Sequence, residues 1–183
     1  GVQGADEESF TTDFLADKTV AFINDHRDEP FCFMVSLPDP HGPDTVRPPY
    51  DTMFDQQTYK TPRTFDKPAE NLPSWGKPSG GFNGMAGYYG MVKCIDDNVG
   101  KILQALRTAE LIDRTIIVFT ADHGEQHGEH NLLYKGLYPY QGHTRKAVGH
   151  GLATYYQDVL LTIDDLRFIV LFHDIPGTRH SNR

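Results

Sequence analysis

Cysteine is scarce in this chain. Its 183 residues hold two, Cys32 and Cys94, too few for a structural disulfide framework, so the redox compartment stays open. No run of about 18 apolar residues occurs, and no segment therefore reads as a membrane span. Positive charge is in deficit, with a formal net charge of −8, which argues against a polyanionic partner such as nucleic acid. A small anionic substrate is not excluded, because a few placed cations set the potential inside a cleft. The chain opens on Gly1-Val2-Gln3-Gly4, without an initiator methionine or a signal peptide. It reads as the middle of something longer. Hydrophobic content of 38% and charged content of 23% are ordinary for a globular domain, and the length suits one good core.

Residues 11–26 read as the first helix, capped by Thr11, Thr12 or Asp13, with Phe14, Leu15, Phe22 and Ile23 as its apolar face. Asp28-Glu29-Pro30 ends it. The run Phe31-Cys-Phe-Met-Val-Ser-Leu37 is apolar, short and bounded by prolines, which predicts a buried strand. Cys32 within it, and Cys94 on a later helix, read as buried small hydrophobes rather than reactive thiols. A stiff loop, Pro38-Asp39-Pro40-His41-Gly42-Pro43, follows. Taken alone, His41 is a turn residue. Residues 44–84 form a long irregular excursion with Arg47-Pro-Pro-Tyr50 and Asn71-Leu-Pro-Ser-Trp75, and excursions of this length are functional or mobile.

Residues 85–109 read as the longest helix, with Met85, Tyr88, Tyr89, Val92, Ile95, Val99, Ile102, Leu103 and Leu106 as one apolar stripe. Asp96 and Asp97 on it read as a solvated or capping face, not a metal pair. Residues 115–120 are the next strand. Strand, crossover with helix, and strand predict an α/β fold whose mostly parallel sheet is flanked by helices. Both polar loops then open on one edge of the sheet, at the C-terminal ends of their strands.

The loop after the second strand holds Asp122, His123, Glu125, His127, Glu129 and His130, followed by Lys135. Carboxylates and imidazoles there suit a divalent metal. His123, His127 and His130 would suit zinc if the segment were helical, but Gly124 and Gln126 stand where HExxH or HxxEH needs Glu. That reading is set aside.

Asp122-His123-Gly124, Gly128-Glu129-His130 and Lys135, with Pro40-His41-Gly42-Pro43 upstream, resemble the second half of a catalytic domain of the sulfatase family in the alkaline phosphatase superfamily. The helix sequence from Tyr88 to Leu103 is also similar. The resemblance implies an alkaline-phosphatase-like fold, here incomplete at the N-terminus. It implies a sulfuric-ester hydrolase in which His41 and Lys135 act on the sulfate, while Asp122 and His123 bind a metal, commonly Ca²⁺. Arg145 and His127 are implied as substrate contacts or as supports behind the site. The family's nucleophile is a formylglycine made from cysteine in a Cys-x-(Pro/Ala)-x-Arg motif. Neither cysteine here matches it, so that group is expected on a missing segment and this chain alone is expected to be inactive.

The family's excursion lines the substrate entrance, so Arg47, Tyr50 and Trp75 are either leaving-group contacts or packing residues. Expected substrates are small sulfate esters or sulfated sugars, and the resemblance favours a periplasmic or secreted setting. Tyr140-Gln-Gly-His-Thr-Arg145 keeps a family spacing, with Gln141 in place of an acid and Lys146-Ala147 in place of an apolar-proline pair. Residues 1–146 are thus read as a partial sulfatase domain. Residues 147–183 are a divergent or frame-shifted tail in which residues 158–172 could be helix or strand. Two alternatives stay open: a phosphonate monoester or phosphodiester hydrolase of the same superfamily, and a non-catalytic metal-binding remnant.

Overall fold

The structure, a computed structural model, describes residues 4–66, 85–120, 125–132 and 168–173. Helix α1 spans Thr11–Asp25. Its N-cap is Phe10, whose side chain makes no capping bond, so the expected Thr or Asp cap is not used. Instead Asp6 and Ser9 close the preceding turn, each backbone N–H donating to the other's side-chain oxygen at 3.0 Å. The buried positions are Thr12, Asp13, Ala16, Thr19 and Ile23, and Phe14 is 47% exposed. The buried stripe is therefore more polar than the apolar pattern predicts. Thr19 can be buried because its hydroxyl donates to the Leu15 carbonyl at 2.8 Å.

Strand β1 covers Phe31–Ser36 and helix α2 covers Ala86–Thr108. Their bounds match the expected ones to within a residue or so. Helix α2 ends on Glu110 at φ 59°, with Leu111 N–H reaching the Leu106 carbonyl at 2.8 Å and Glu110 N–H the Arg107 carbonyl at 3.0 Å. This left-handed terminus turns the chain back and drops Leu111 into the core. A 3-10 turn, Ile112–Arg114, leads into β2, Thr115–Thr120.

Both helices lie on one face of the sheet. Ala16 and Ile23 of α1 meet Ile95, Val99, Ile102, Ala105 and Leu106 of α2, together with Val35 and Leu37; Phe31, Phe33, Ile117 and Phe119 pack against the same cluster. Alternate residues of a strand point to opposite faces, so Cys32, Met34 and Ile116 turn the other way. Cys32 is exposed, Met34 is 62% exposed and Ile116 56%. That corrects the expectation of a strand buried on both sides with Cys32 inside it. Cys94 is fully buried, as expected.

The sheet order is β1-β3-β2, where β3 is Phe168–His173. Both ladders are antiparallel, so the direct parallel pairing of β1 with β2 is corrected. The crossover leaves a gap one strand wide, and a segment from the stretch left open between helix and strand fills it. Because each outer strand is antiparallel to β3, β1 and β2 still run in the same direction. Ser36 and Thr120 both partner Phe168. Their following loops thus leave one edge of the sheet, about 10 Å apart at two interstrand spacings. Among the described residues, no helix is long and apolar enough to cross a membrane.

Candidate functional site

At that edge, the loop after β1 turns back at once. His41 N–H donates to the Pro38 carbonyl at 3.2 Å, and the exposed imidazole donates from Nδ1 to the Gly42 carbonyl at 2.8 Å. A carbonyl can only accept, so Nδ1 carries the proton and Nε2 is left for a ligand. Next to it, burial pushes the Asp39 carboxyl above the ordinary carboxylate range, partly offset by a hydrogen bond from the Thr12 hydroxyl. Asp39 is a polar neighbour of His41 that the sequence reading passed over.

A buried ionic cluster holds the far end of this loop. Arg47 donates from Nε and Nη2 to the two Asp13 oxygens, each at 2.7 Å, and only 8% of Arg47 and 2% of Asp13 is exposed. Asn98 adds a donor to Asp13 at 2.9 Å. Burial raises the Asp13 carboxyl, but Arg47 and Asn98 outweigh it and hold the group below its usual range. The Tyr50 ring lies under the guanidinium at 5.0 Å and its hydroxyl donates to Asp97 at 2.9 Å. Burial, with Asp13 adding to it, pushes the Cys94 thiol up to about 12, which removes it as a nucleophile at neutral pH. Arg47 is therefore committed to Asp13 rather than to a leaving group. Asp97 and Asp96 pair with Lys93 on the helix surface, as a solvated face should.

Helix α2 is notched to receive the loop. A Cβ on Gly87 would stand 2.2 Å from the Asp44 carbonyl oxygen, and one on Gly90 would stand 2.5 Å from that of Tyr50. Gly87→Ala is expected to destabilise the fold by about 1–3 kcal/mol through this overlap. Gly100→Ala, on the same helix with nothing within 4 Å, should be neutral or stabilising by up to about 1 kcal/mol. Urea unfolding of the two variants side by side checks the notch, and equal midpoints would remove it.

After β2, residues 125–132 form a tight knot. His127, Gly128, His130 and Asn131 have φ of 45°, 89°, 51° and 59°, left-handed values that a non-glycine residue adopts at a cost of about 1 kcal/mol or more. The Gly128 N–H to Leu132 carbonyl bond at 2.7 Å and the Glu129 N–H to Gln126 carbonyl bond at 2.9 Å close it. Such a backbone cannot be the helix that the zinc reading needs. The His127 ring stands edge-on to Tyr88 with centroids 4.2 Å apart, and its Nε2 is buried. Burial raises the Asp44 carboxyl; His127 lowers it and Glu125 raises it further. Asp44 thus sits close to the knot even though much of the residue faces solvent. The knot also touches the excursion directly, since His130 N–H donates to the Thr64 hydroxyl at 3.1 Å.

Of the expected site residues, His41 and His127 are placed in this way. Asp122, His123, Lys135 and Arg145 lie outside the described residues, as does Trp75. Among the described residues, no group of three His, Cys, Asp or Glu side chains converges to hold a metal. Asp122 and His123 would supply one carboxylate and one imidazole, fewer than the 6–8 ligands that calcium takes. The residues in hand therefore fit a divalent cation only as part of its shell.

Comparison with known proteins points to one family. The sulfatase family model matches residues 6–151. An arylsulfatase of Clostridium perfringens is 30% identical over 157 residues, which cover 78% of this chain and 32% of that protein. The multifunctional alkaline phosphatase superfamily protein PehA of Trinickia caryophylli is 26% identical over 147 residues, 67% of this chain and 29% of that protein. The crystal structure of the protein yidJ of Bacteroides fragilis superposes with a TM-score of 0.53 at 20% identity, covering 90% of this chain and 31% of that one. The chain thus spans about a third of the length of the relatives it matches.

Proposed function

The chain belongs to the sulfatase family, and from that premise we propose that it forms part of a sulfuric-ester hydrolase with a divalent-metal site. The observation that carries this reading is the shared sheet edge. Strands β1 and β2 both end opposite Phe168, so the segments that follow them, one with His41 and the other with Asp122 and His123, start at the same edge with one strand between them. Ester hydrolysis needs charge neutralised on the transferring group and on the leaving oxygen. A divalent cation, calcium by family resemblance, would polarise the ester oxygens when bound by Asp122, His123 and further ligands. As an imidazolium, His41 donates from Nε2, and Lys135 adds a second donor. Arg145 is a further substrate contact, and His127, fixed against Tyr88, positions the loop.

Nothing in this chain provides the nucleophile: Cys94 is buried, and neither cysteine stands in the formylglycine motif. The group comes from another segment of the complete enzyme, and these residues alone do not turn over. Residues 1–146 carry this share of the site, and residues 147–183 are a divergent extension that supplies β3. In the complete domain the sheet is mostly parallel. Small sulfate esters or sulfated sugars are the substrates, and a periplasmic or secreted setting follows from the family resemblance.

The similarity to PehA favours a second reading, a phosphonate monoester or phosphodiester hydrolase on the same loops. Initial rates of the complete enzyme on an aryl sulfate and on the matching aryl phosphonate monoester separate the two. At least a tenfold preference for the sulfate is expected. The reverse preference would select the second reading. Hydrolysis of neither would leave a metal-binding remnant.

A further inference from the structure

The excursion after the His41 loop folds into a groove that the hydrolytic reading does not use. Its volume is about 500 Å³, and its described walls combine Phe54, Tyr59, Met85 and Tyr89 with the polar Gln57, Thr58 and Lys60. Volumes of this size hold small organic ligands. The walls hold one another in place. The Tyr59 hydroxyl donates to the Phe54 carbonyl at 2.9 Å, its ring stacks on Tyr89 at 5.5 Å and 10°, and Phe54 leans on Tyr89 at 5.9 Å.

Tyr89 is the odd residue of its helix. Successive helical residues point about 100° apart, so Tyr88 and Tyr89 cannot both face the core. Tyr88 is 3% exposed and Tyr89 39%, which leaves an aromatic surface turned into the groove. Among the described residues the lining has one charge, Lys60, and no carboxylate, in a chain of net charge −8. Asp55 is near enough to help raise the Tyr59 phenol but is not part of the wall. Aromatic rings with a single ammonium group suit a flat ring that bears an acidic substituent.

The location matters as much as the lining. Tyr89 touches Tyr88, and Tyr88 meets His127. The groove is thus two ring contacts from the knot after β2, and Thr64 of the same excursion holds that knot. We propose that this groove is a binding subsite for a planar ring with an acidic group. Resting on the sulfatase reading, it seats the alcohol portion of the ester.

The test uses 2-naphthalenesulfonate, which cannot be hydrolysed as an ester, titrated into the full chain by calorimetry. Saturable binding at one site is expected, with Kd on the order of 1 mM or tighter for a bicyclic ring. Cyclohexanesulfonate should bind at least fivefold more weakly. Lys60→Gln, an exposed position, should weaken the sulfonate at least fivefold and leave uncharged 2-naphthol unchanged. Tyr89→Ala should weaken both aromatic probes. No saturation by 10 mM, or equal affinity in the parent and both variants, overturns the subsite. Probe binding does not depend on turnover, so a chain that binds as expected but belongs to an enzyme cleaving no sulfate ester keeps the groove and loses the hydrolytic reading. In an active complete enzyme, Tyr89→Ala should raise KM for an aryl sulfate with kcat held. An unchanged KM would overturn the seating of the alcohol portion.

Discussion

Asp13→Ala is expected to cost the fold about 3–5 kcal/mol, the penalty for stripping the partner from a buried charge. Arg47 would keep its guanidinium at 8% exposure with two fork donors unanswered, and Asn98 would lose an acceptor. In a domain of this size that loss lowers Tm by roughly 10 °C or more. Arg47→Lys should be nearly as damaging, because an ammonium group cannot make the paired bonds to both carboxylate oxygens. Replacing both partners with apolar residues, Asp13→Leu with Arg47→Met, should recover most of the stability, since no charge then stays buried. Thermal melts of the three variants decide the matter. Equal losses in the single and double variants would show that shape, not the ion pair, is at stake.

The same cluster fixes the sign of the pH dependence. The Asp13 carboxyl is held below its usual value of 3.8 in the fold. Its stabilisation is therefore complete above the unfolded value and disappears as pH falls through the lower, folded one. Asp39 and Asp44 are shifted the other way by burial. Each binds a proton more tightly folded than unfolded, so each favours the fold at low pH and loses that contribution as pH rises through its raised value. Acidifying from neutrality should first gain stability from these two and then lose it at Asp13. The Asp13→Ala variant should lack the final acid loss.

Local periodicity made the main elements legible. The stripe from Tyr88 to Leu106 specifies a helix whatever surrounds it, and the apolar runs before Pro38 and after Arg114 specify strands. Which strand pairs with which depends on residues 48 or more positions apart, and no local pattern in β1 or β2 announces that β3 will stand between them. Thr12 and Asp13 show the other limit. By themselves they are good capping residues, and only the return of Asp39 and Arg47 in space turns them into buried partners. Gly87 and Gly90, three residues apart on one helix face, were the one sequence signal that a backbone would pass close by. Family resemblance alone proposes His41 as a site residue, whereas its ring tautomer needed the turn that aims Nδ1 at Gly42.

That turn makes His41→Ala the sharpest prediction for the proposed chemistry. The ring is exposed and its hydrogen bond to the adjacent Gly42 carbonyl is local, so its removal should change stability by no more than about 0.5 kcal/mol. If Nε2 donates to an ester oxygen in the transition state, the complete enzyme should lose about 10²- to 10³-fold in kcat, the usual effect of deleting one such donor. A loss in kcat with an unchanged Tm is the expected result. Asp13→Ala should lower Tm, and it should lower activity only to the extent that the loop between Asp39 and Arg47 moves. Unchanged kcat in His41→Ala would make this histidine a turn residue and detach the loop after β1 from the reaction. A fall in Tm comparable to that of Asp13→Ala would assign the ring to packing. The two variants together separate the loop's anchor from the group it presents: Arg47 and Asp13 hold the far end, and His41 lies near the start, on the loop that leaves the edge where β1 and β2 both end.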